Sequence, residues 1–263
     1  MLEEKSPEFW NVVDRNAQVT KVVGGFQFTE GPVFSRRGYL LFSDIPPQRI
    51  HKWERGKLTT LRENSNRANG LTFDHQGRLL VCEGGGKVTR TEKNGSITVL
   101  AEAGLKGPND LVYCIDGSIY FTDLAGAKVY RITRQGKVDM VADENPGPNG
   151  VALGPNQQKL YVADSKKREV RAYDIQADGK LVNSRLFATT RCDGLKTDEA
   201  GNVWVAGDGG IWVFDPAGKT LGVIRTPEGP ANCCWGAGFS GMYITARTSV
   251  YHVPTKVPGT RTF

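Results

Sequence analysis

Apolar and polar positions alternate with a period of two in short runs along this chain, and tight turns carrying Gly with Asp, Asn, Arg or Gln separate the runs. Val, Ile, Tyr, Phe and Trp dominate the runs, which indicates half-buried β-strands. A block of strand, turn and strand recurs as GPVFSRRGYLLFSD, GLTFDHQGRLLVCE, DLVYCIDGSIYFTD, GVALGPNQQKLYVAD, GLKTDEAGNVWVAG and CCWGAGFSGMYITA. The pattern predicts an all-β protein built from a repeat.

A third strand follows each block: RIHKW, KVTRTE, KVYRIT, EVRAYDI, GIWVFD and SVYHV. A fourth strand follows in the first five units: LTTLRE, ITVLAE, VDMVAD, LVNSRLFA and LGVIRT. A repeat of roughly 40 residues with four short strands per unit is typical of a propeller, whose sheets pack radially around a channel. We therefore predict a six-bladed β-propeller with four antiparallel strands per blade.

The sixth unit has no fourth strand after SVYHV, whereas the early segment QVTKVVG (18–24) has the pattern of a strand without a partner. We predict that this segment completes the last blade and closes the ring, since closure leaves no unpaired blade edge there. Residues 17–263 then form a single propeller domain. Residues 1–16 are predicted to be an N-terminal surface arm, in which SPEFWNVV forms one or two helical turns with Ser6 as N-cap and Pro7 at the first helical position.

A polar side chain stands just before the first strand of every unit. These ring positions are Glu30, Asn69, Asn109, Asn149, Asp193 and Asn232, with successive gaps, by subtraction, of 39, 40, 40, 44 and 39 residues. The innermost strand of each blade lines the channel of a propeller, so equivalent residues at its start meet around the axis. We predict that this ring is the active site.

Carboxylates and amide oxygens that converge in a narrow cleft repel one another or stay unpaired unless a positive charge lies between them. Oxygen-only ligands with two negative charges favour calcium, with magnesium or manganese as alternatives and zinc less suited without His or Cys. Taken singly, Asn69-Gly70, Asn149-Gly150 and Asp193-Gly194 are also compatible with ordinary turn chemistry. Six acceptors in one register favour a ligand ring, and Glu30 does so most because Glu is a poor turn residue.

A second column of carboxylates follows 14 or 15 residues after the ring, at Asp44, Glu83, Asp123 and Asp164. Each ends the second strand of its blade. Carboxylates at strand ends usually accept hydrogen bonds from the backbone of the following turn, so we predict a structural role for this column.

Composition and charge exclude several classes of protein. The net charge of +6 comes partly from basic clusters at hairpin tips, where solvated Lys and Arg are normal, so we predict no nucleic-acid partner, although weak steering of anionic substrates stays open. No segment is long and apolar enough to span a membrane, and the acidic start MLEEKSPEFW is unlike a secretory signal, so a cytoplasmic location is expected. The five cysteines lack metal-type spacing and are predicted to be buried free thiols. Motifs of P-loop proteins, dinucleotide binders and serine hydrolases are absent from the sequence.

Four spaced motifs give the chain a family likeness: TEGPV (29–33), GPND (107–110), GPNGVA (147–152) and CDGL (192–195). With them, the chain resembles the senescence marker protein (regucalcin), gluconolactonase and luciferin-regenerating enzyme family. The resemblance implies a six-bladed propeller that hydrolyses lactones with one divalent ion. It also implies that Glu30, Asn149 and Asp193 are metal ligands, that Asn109 is a fourth ligand or a substrate contact, and that Asp193 is the catalytic base.

The function expected from these residues is metal-dependent hydrolysis of a cyclic ester, with a small-molecule lactone as partner. A cation, calcium first and magnesium, manganese or zinc as alternatives, would polarise the carbonyl group while Asp193 activates water. Asn69 and Asn109 would donate to the substrate, and Asn232 and Lys106 are further candidate substrate contacts. Two other functions stay open: a phosphotriesterase of the diisopropyl fluorophosphatase type, and a non-catalytic propeller that binds calcium or partners. We expect a monomer or a weak homodimer.

Overall fold

Six small antiparallel sheets make up the computed structural model, which describes residues 1–261. The chain begins with β1 (Leu2–Glu4), the short helix α1 (Phe9–Val12) and β2 (Thr20–Gly24). Blades one to three follow, with strands β3 (Thr29–Ser35), β4 (Tyr39–Asp44), β5 (Arg49–Glu54), β6 (Lys57–Arg62), β7 (Ala68–Phe73), β8 (Leu79–Glu83), β9 (Lys87–Thr91), β10 (Ile97–Ala101), β11 (Pro108–Tyr113), β12 (Ile119–Asp123), β13 (Lys128–Ile132) and β14 (Val138–Ala142). Blades four to six contain β15 (Pro148–Leu153), β16 (Lys159–Asp164), β17 (Glu169–Ile175), β18 (Leu181–Thr189), β19 (Leu195–Thr197), β20 (Val203–Gly207), β21 (Gly210–Phe214), β22 (Thr220–Arg225), β23 (Pro230–Trp235), β24 (Met242–Ala246) and β25 (Ser249–Val253), with a 3₁₀ turn at Ala237–Phe239.

In blades one to four the strands pair in chain order from the axis outwards, as in β3-β4-β5-β6. Blades five and six follow the same order except that their outermost strands, β1 and β2, come from the start of the chain. The inner strands contact one another around the axis, and β23 of blade six packs against β3 of blade one, so the ring is closed. The predicted six-bladed propeller is confirmed. No helix among residues 1–261 is long and apolar enough to cross a membrane.

Blade six combines strands from both ends of the chain. Strand β2 pairs antiparallel with β25, placing Thr20 opposite His252 and Gly24 opposite Ser249. It supplies the outermost strand that the sixth unit lacks. The predicted closure of the ring is therefore confirmed.

The segment 1–16, predicted to be a surface arm, lies at the surface but is integrated into blades five and six. Strand β1 pairs with β22 and extends blade five to five strands. Helix α1 inserts Phe9, which is 0% exposed, into the apolar cluster between blades five and six. The predicted helical turn forms, but its N-cap residue is Glu8, which makes no capping bond. Sequence reasoning missed this packing because the surface that receives Phe9 belongs to residues more than 200 positions away.

Apolar clusters between neighbouring blades form the core of the propeller. The second strands β8, β12 and β20 are buried at every position, because each has another blade on both faces. Trp204 and Trp235 meet edge to face at 5.3 Å between blades five and six. All five cysteines are free and buried, as predicted. Tight packing between blades fixes the positions of the inner strands, on which the site depends.

Candidate active site

The six ring residues lie at the starts of the inner strands, around one end of the axial channel. Their side chains are linked: the Asn149 amide hydrogen-bonds to Asp193, the Asn232 amide hydrogen-bonds to Glu30, and the charges of Glu30 and Asp193 act on each other. Glu30, Asn109, Asn149 and Asn232 are each 8% exposed or less. Residues from all six blades therefore form one polar ring, in which these four are buried and Asn69 and Asp193 are half-buried.

An irregularity in strand pairing coincides with the ring position in five blades. Regular pairing is interrupted at Glu30/Val33, Ala68/Leu71, Pro108/Leu111, Pro148/Val151 and Pro230/Asn232. In blade five, Asp193 and Gly194 lie just before β19 begins. A β-bulge redirects side chains out of the regular alternation, which explains how residues within a buried strand turn towards the axis.

The glycine that follows several ring residues allows neighbouring inner strands to approach closely. A Cβ atom on Gly31, whose φ is +50°, would lie 1.8 Å from the carbonyl oxygen of Asn69, and one on Gly150 would lie 2.4 Å from that of Asp193. Gly150 lies inside a strand, so the turn interpretation of Asn149-Gly150 is wrong. Glycine is needed here because the backbone of the next blade occupies the space of a side chain.

Hydroxyl groups and backbone hydrogen bonds fix the ring from behind. Ser43 of blade one donates to the carbonyl oxygen of Asn69 in blade two at 2.7 Å, and Thr122 donates to that of Asn149 at 2.5 Å. The Asp193 N–H donates to Ala206 at 2.9 Å. The ring backbone is thus tied across blade boundaries, which preorganises the side chains.

Two buried carboxyl groups dominate the electrostatics. Burial, together with the charges of Asp193 and Asp110, raises the pKa of Glu30 well above its ordinary value. Burial raises the pKa of Asp193 to about 7, against the opposing effects of Arg191 and the Asn149 hydrogen bond. Such shifts are what two acids show when they share a cleft without a neutralising cation.

The Asn69 side chain adds a second sign of an unsatisfied site. Its Oδ1 atom is buried and has no hydrogen-bond partner among residues 1–261. Buried acceptors without a donor are rare in folded proteins and call for an explanation such as an ion. The ring therefore contains both excess negative charge and an unused amide oxygen.

A buried ion pair lies next to the ring and was missed by sequence reasoning. Lys196 Nζ is 3.7 Å from Asp110 Oδ2, and the Asn232 amide donates to the same oxygen at 3.3 Å. Burial lowers the pKa of Lys196, but the charges of Asp110 and Glu30 act the other way and the pKa is raised overall. Lys196 thus stays positive beside the ring and balances Asp110, leaving Glu30 and Asp193 for another cation.

Both members of this pair break the repeat. Asp110 occupies the position that glycine holds in four other blades: Gly31, Gly70, Gly150 and Gly194. Lys196 occupies an inner-strand position that is uncharged in the other five: Val33, Thr72, Val112, Ala152 and Trp235. These two exceptions are the signal from which the pair could have been found.

The outer column has the structural role predicted for it. Asp123 accepts from the backbone N–H groups of Lys106, Gly107 and Gly126 at 2.7–2.9 Å. Asp44 and Asp164 likewise accept two backbone N–H groups each, and Glu83 accepts from the side chains of Arg62, Asn66 and Thr89. These carboxylates hold the loops around the mouth of the channel.

The channel changes character along its length. Beyond Lys196 it opens into a cavity of about 200 Å³ lined largely by apolar side chains, including Phe34, Phe73 and Trp235. A larger cavity of about 500 Å³ lies at the outside of blades one and two and contains no ring residue. Lys106, the predicted basic contact, is exposed near the mouth, and its backbone N–H donates to Asp123. The polar end of the channel is the candidate active site.

Comparison with known proteins gives consistent matches over nearly the whole chain. Residues 28–248 match the family model described as SMP-30/Gluconolactonase/LRE-like region. A gluconolactonase of Zymomonas mobilis is 27% identical, over 97% of this chain and 86% of its own. A pentonolactonase of Haloferax volcanii is 28% identical, over 86% of this chain and 84% of its own.

The fold is matched just as widely. The structure of a gluconolactonase from Xanthomonas campestris superposes with a TM-score of 0.90 at 28% identity, covering 97% of this chain and 94% of that one. The matched segment contains all six inner strands complete and every ring residue. This protein belongs to the SMP-30/gluconolactonase/LRE-like family.

Proposed function

We propose that this protein is a divalent-cation-dependent lactonase, which hydrolyses a cyclic ester in the ring at the polar end of its channel. The observation that carries the proposal is the pair of buried carboxyl groups, Glu30 and Asp193, with raised pKa values in a ring of amide groups. The lactonases among its relatives supply the reaction type.

The ring residues fit a hard divalent cation. Glu30, Asn149 and Asp193 would bind it, with Asn109 as a fourth ligand and the unpaired Asn69 Oδ1 also within the ring. Among residues 1–261, no group of three or more His, Cys, Asp or Glu side chains is arranged to hold a metal, so the additional ligands have to be amide oxygens. Such a ligand set favours calcium, with magnesium or manganese next and zinc last.

A divalent cation, when bound, supplies Lewis-acid polarisation of the ester carbonyl. Asp193 would orient a water molecule and accept its proton as the oxygen bonds to the carbonyl carbon. The proton would then pass to the ring oxygen as its bond to that carbon breaks, giving a hydroxy acid. The Asn69 and Asn109 amides would donate to the substrate, and Asn232 would hold Glu30 in place.

The test is a panel of lactones assayed with purified protein, before and after removal of divalent ions with a chelator and again after calcium is restored. We expect turnover of gluconolactone or aliphatic lactones that disappears with the chelator and returns with calcium. Elemental analysis of the same preparation identifies the metal carried. Turnover of a fluorophosphate but of no lactone would instead favour the phosphotriesterase, and no turnover at all would favour a binding propeller.

A further inference from the structure

Three exposed arginines stand around the mouth of the ring, outside the networks that hold it. This arginine rim consists of Arg67, Arg191 and Arg247. Arg67 and Arg191 lie two residues before the ring positions of blades two and five, which face each other across the axis. Arg247 lies in the β24–β25 turn, and its carbonyl oxygen accepts the N–H of Thr29, the residue before Glu30, at 2.8 Å.

The charges of the rim are weakly compensated. Among residues 1–261, neither Arg67 nor Arg247 forms an ion pair, and the Arg247 guanidinium lies 5.7 Å from the centre of the Phe28 ring. Arg191 has Asp208 at 3.7 Å, but Arg168 holds the same carboxylate at 2.8 Å. The rim is therefore available to an anion from solution.

Neighbouring carboxylates do not cancel the rim, because the outer column is already engaged. Asp44 and Asp123 are buried and accept backbone N–H groups, and Glu83 is paired with Arg62 at 2.7 Å. With Asp110 balanced by Lys196, and with the two ring carboxylates balanced by a divalent cation, the mouth retains the charges of Arg67 and Arg247. Arg191 adds a third charge that is only partly compensated, because it shares the Asp208 carboxylate with Arg168.

The loop that carries Arg67 has an unusual backbone conformation. Asn66 and Arg67 are consecutive left-handed residues, with φ of 52° and 59°. Their carbonyl oxygens accept the N–H groups of Gly85 and Gly84 at 3.1 and 2.9 Å, and the Asn66 amide donates to Glu83 at 2.9 Å. Non-glycine residues in the left-handed region are strained and persist where the surrounding structure holds them, and they cluster at functional sites. The conformation of Arg67 is consistent with such a site.

The rim also acts on the ring itself. The positive charges of Arg191 and Arg247 both act on the carboxylate of Asp193. Two of the three rim charges thus reach the residue proposed to activate water.

We propose that the arginine rim selects lactones that carry an additional anionic group, a phosphate or a carboxylate, away from the ester. The inference rests on the proposed lactonase function. The ester enters the ring while the anion stays at the mouth, where a planar guanidinium binds two of its oxygens at once. A neutral lactone gains nothing from these residues.

The kinetic test compares 6-phosphogluconolactone, glucaro-1,4-lactone and gluconolactone with calcium present. We expect kcat/KM for at least one anionic lactone to exceed that for gluconolactone at least tenfold, and the excess to shrink as salt is added. In the Arg67→Gln/Arg247→Gln variant this ratio should fall at least fivefold. Arg37→Gln, at an exposed hairpin tip of blade one, is the matched control and should keep the wild-type ratio.

The two anionic lactones distinguish a phosphate-binding rim from a carboxylate-binding rim. A ratio near one in the wild-type protein, with gluconolactone turned over, would overturn the rim proposal and leave the lactonase function intact. No turnover of any lactone would overturn the lactonase function instead.

Titration calorimetry tests the rim without catalysis. The wild-type protein should bind 6-phosphogluconate or glucarate at least tenfold more tightly than gluconate, and the double variant should lose most of this difference. Equal binding of all three acids would contradict the rim even if the enzyme is active.

Discussion

Two sets of buried carboxylates in this propeller have different surroundings. In the outer column, Asp123 accepts hydrogen bonds from three backbone N–H groups, which stabilise its charge and fix a loop. In the ring, burial raises the pKa of Asp193 to about 7 and that of Glu30 well above its ordinary value. Both sets are acidic, repeated and largely removed from solvent, so burial alone does not identify a site. The difference lies in the hydrogen-bond donors that each carboxylate receives.

The largest effect is expected from Asp193→Asn. The amide cannot accept a proton from water, so kcat/KM should fall by about 10³-fold or more in the lactone assay. The fold should persist, with an unchanged or higher melting temperature in the absence of divalent ions, because one buried acid has been removed. Asp208→Asn, an exposed neighbour, is the control and should retain activity. Cation-dependent turnover by Asp193→Asn would refute its role as base.

Asp123→Ala is expected to lower stability rather than activity. Three backbone N–H groups lose their acceptor, so the free energy of unfolding should fall by about 3 kcal/mol. Urea denaturation measures this change. Turnover per folded molecule should fall far less than in Asp193→Asn. An unaltered urea midpoint would show that the outer column does not stabilise the loops.

The third prediction concerns the divalent ion, which we expect to bind the ring carboxylates and not the outer column. Calcium added at about 100 times its Kd should raise the free energy of unfolding of stripped protein by about 3 kcal/mol, seen as a higher melting temperature. Because the pKa of Asp193 is about 7 without the ion, binding at pH 6 should release protons, and this release should fade above pH 8. Calorimetry in two buffers of different ionisation enthalpy measures the protons. Binding without proton release at pH 6 would argue against Asp193 as a ligand.

The smallest effect is expected at Glu228. In blade six the outer column has Ala246 instead of an acid, and Glu228 accepts hydrogen bonds from that blade. Glu228 accepts from the Thr248 N–H at 2.8 Å and from the Tyr251 hydroxyl at 2.7 Å. Burial raises its pKa, but hydrogen bonds from Ser249, Thr248 and Tyr251 outweigh burial and lower it to about 2 from 4.5.

Since the pKa of Glu228 is lower in the folded state, its contribution to stability is present above pH 4.5 and is lost as the pH falls towards 2. Glu228→Gln should cost about 1 kcal/mol at pH 7, a modest value because the group is partly exposed. Urea unfolding at several pH values should show the difference from wild type shrinking between pH 4.5 and pH 2. A difference that persists at pH 2 would assign the effect to packing.

The repeat made most of the architecture predictable from the sequence. Alternation of apolar and polar residues located the strands, and the missing outer strand of the last unit predicted the pairing of β2 with β25. The register of the repeat also brought Glu30 and Asp193 together, although 163 residues separate them by subtraction. These inferences succeed because a propeller converts equal spacing in sequence into equal position around an axis.

Features that depend on contacts between non-equivalent positions of the repeat could not be predicted in this way. Lys196 is a lone charge on an inner strand, but its partner Asp110 comes from blade three, two blades away. Phe9 fits against Gly222 of blade five, where a Cβ atom would lie 2.5 Å from the Phe9 ring. Pairings of this kind follow from three-dimensional packing and leave only a departure from the repeat in the sequence.

Because β2 and β25 complete the same sheet, synthesis on the ribosome has to reach β25 before the last blade can form. Glu30 emerges early and Asp193 much later, and until then the early blades lack the neighbours that bury their edges. A nascent chain of five blades would contain all four proposed ligands but would lack β23, which packs against β3 and carries Asn232, the hydrogen-bond partner of Glu30. Cation affinity should appear only when the ring closes, so that ion uptake in a translation extract would report the completion of a molecule.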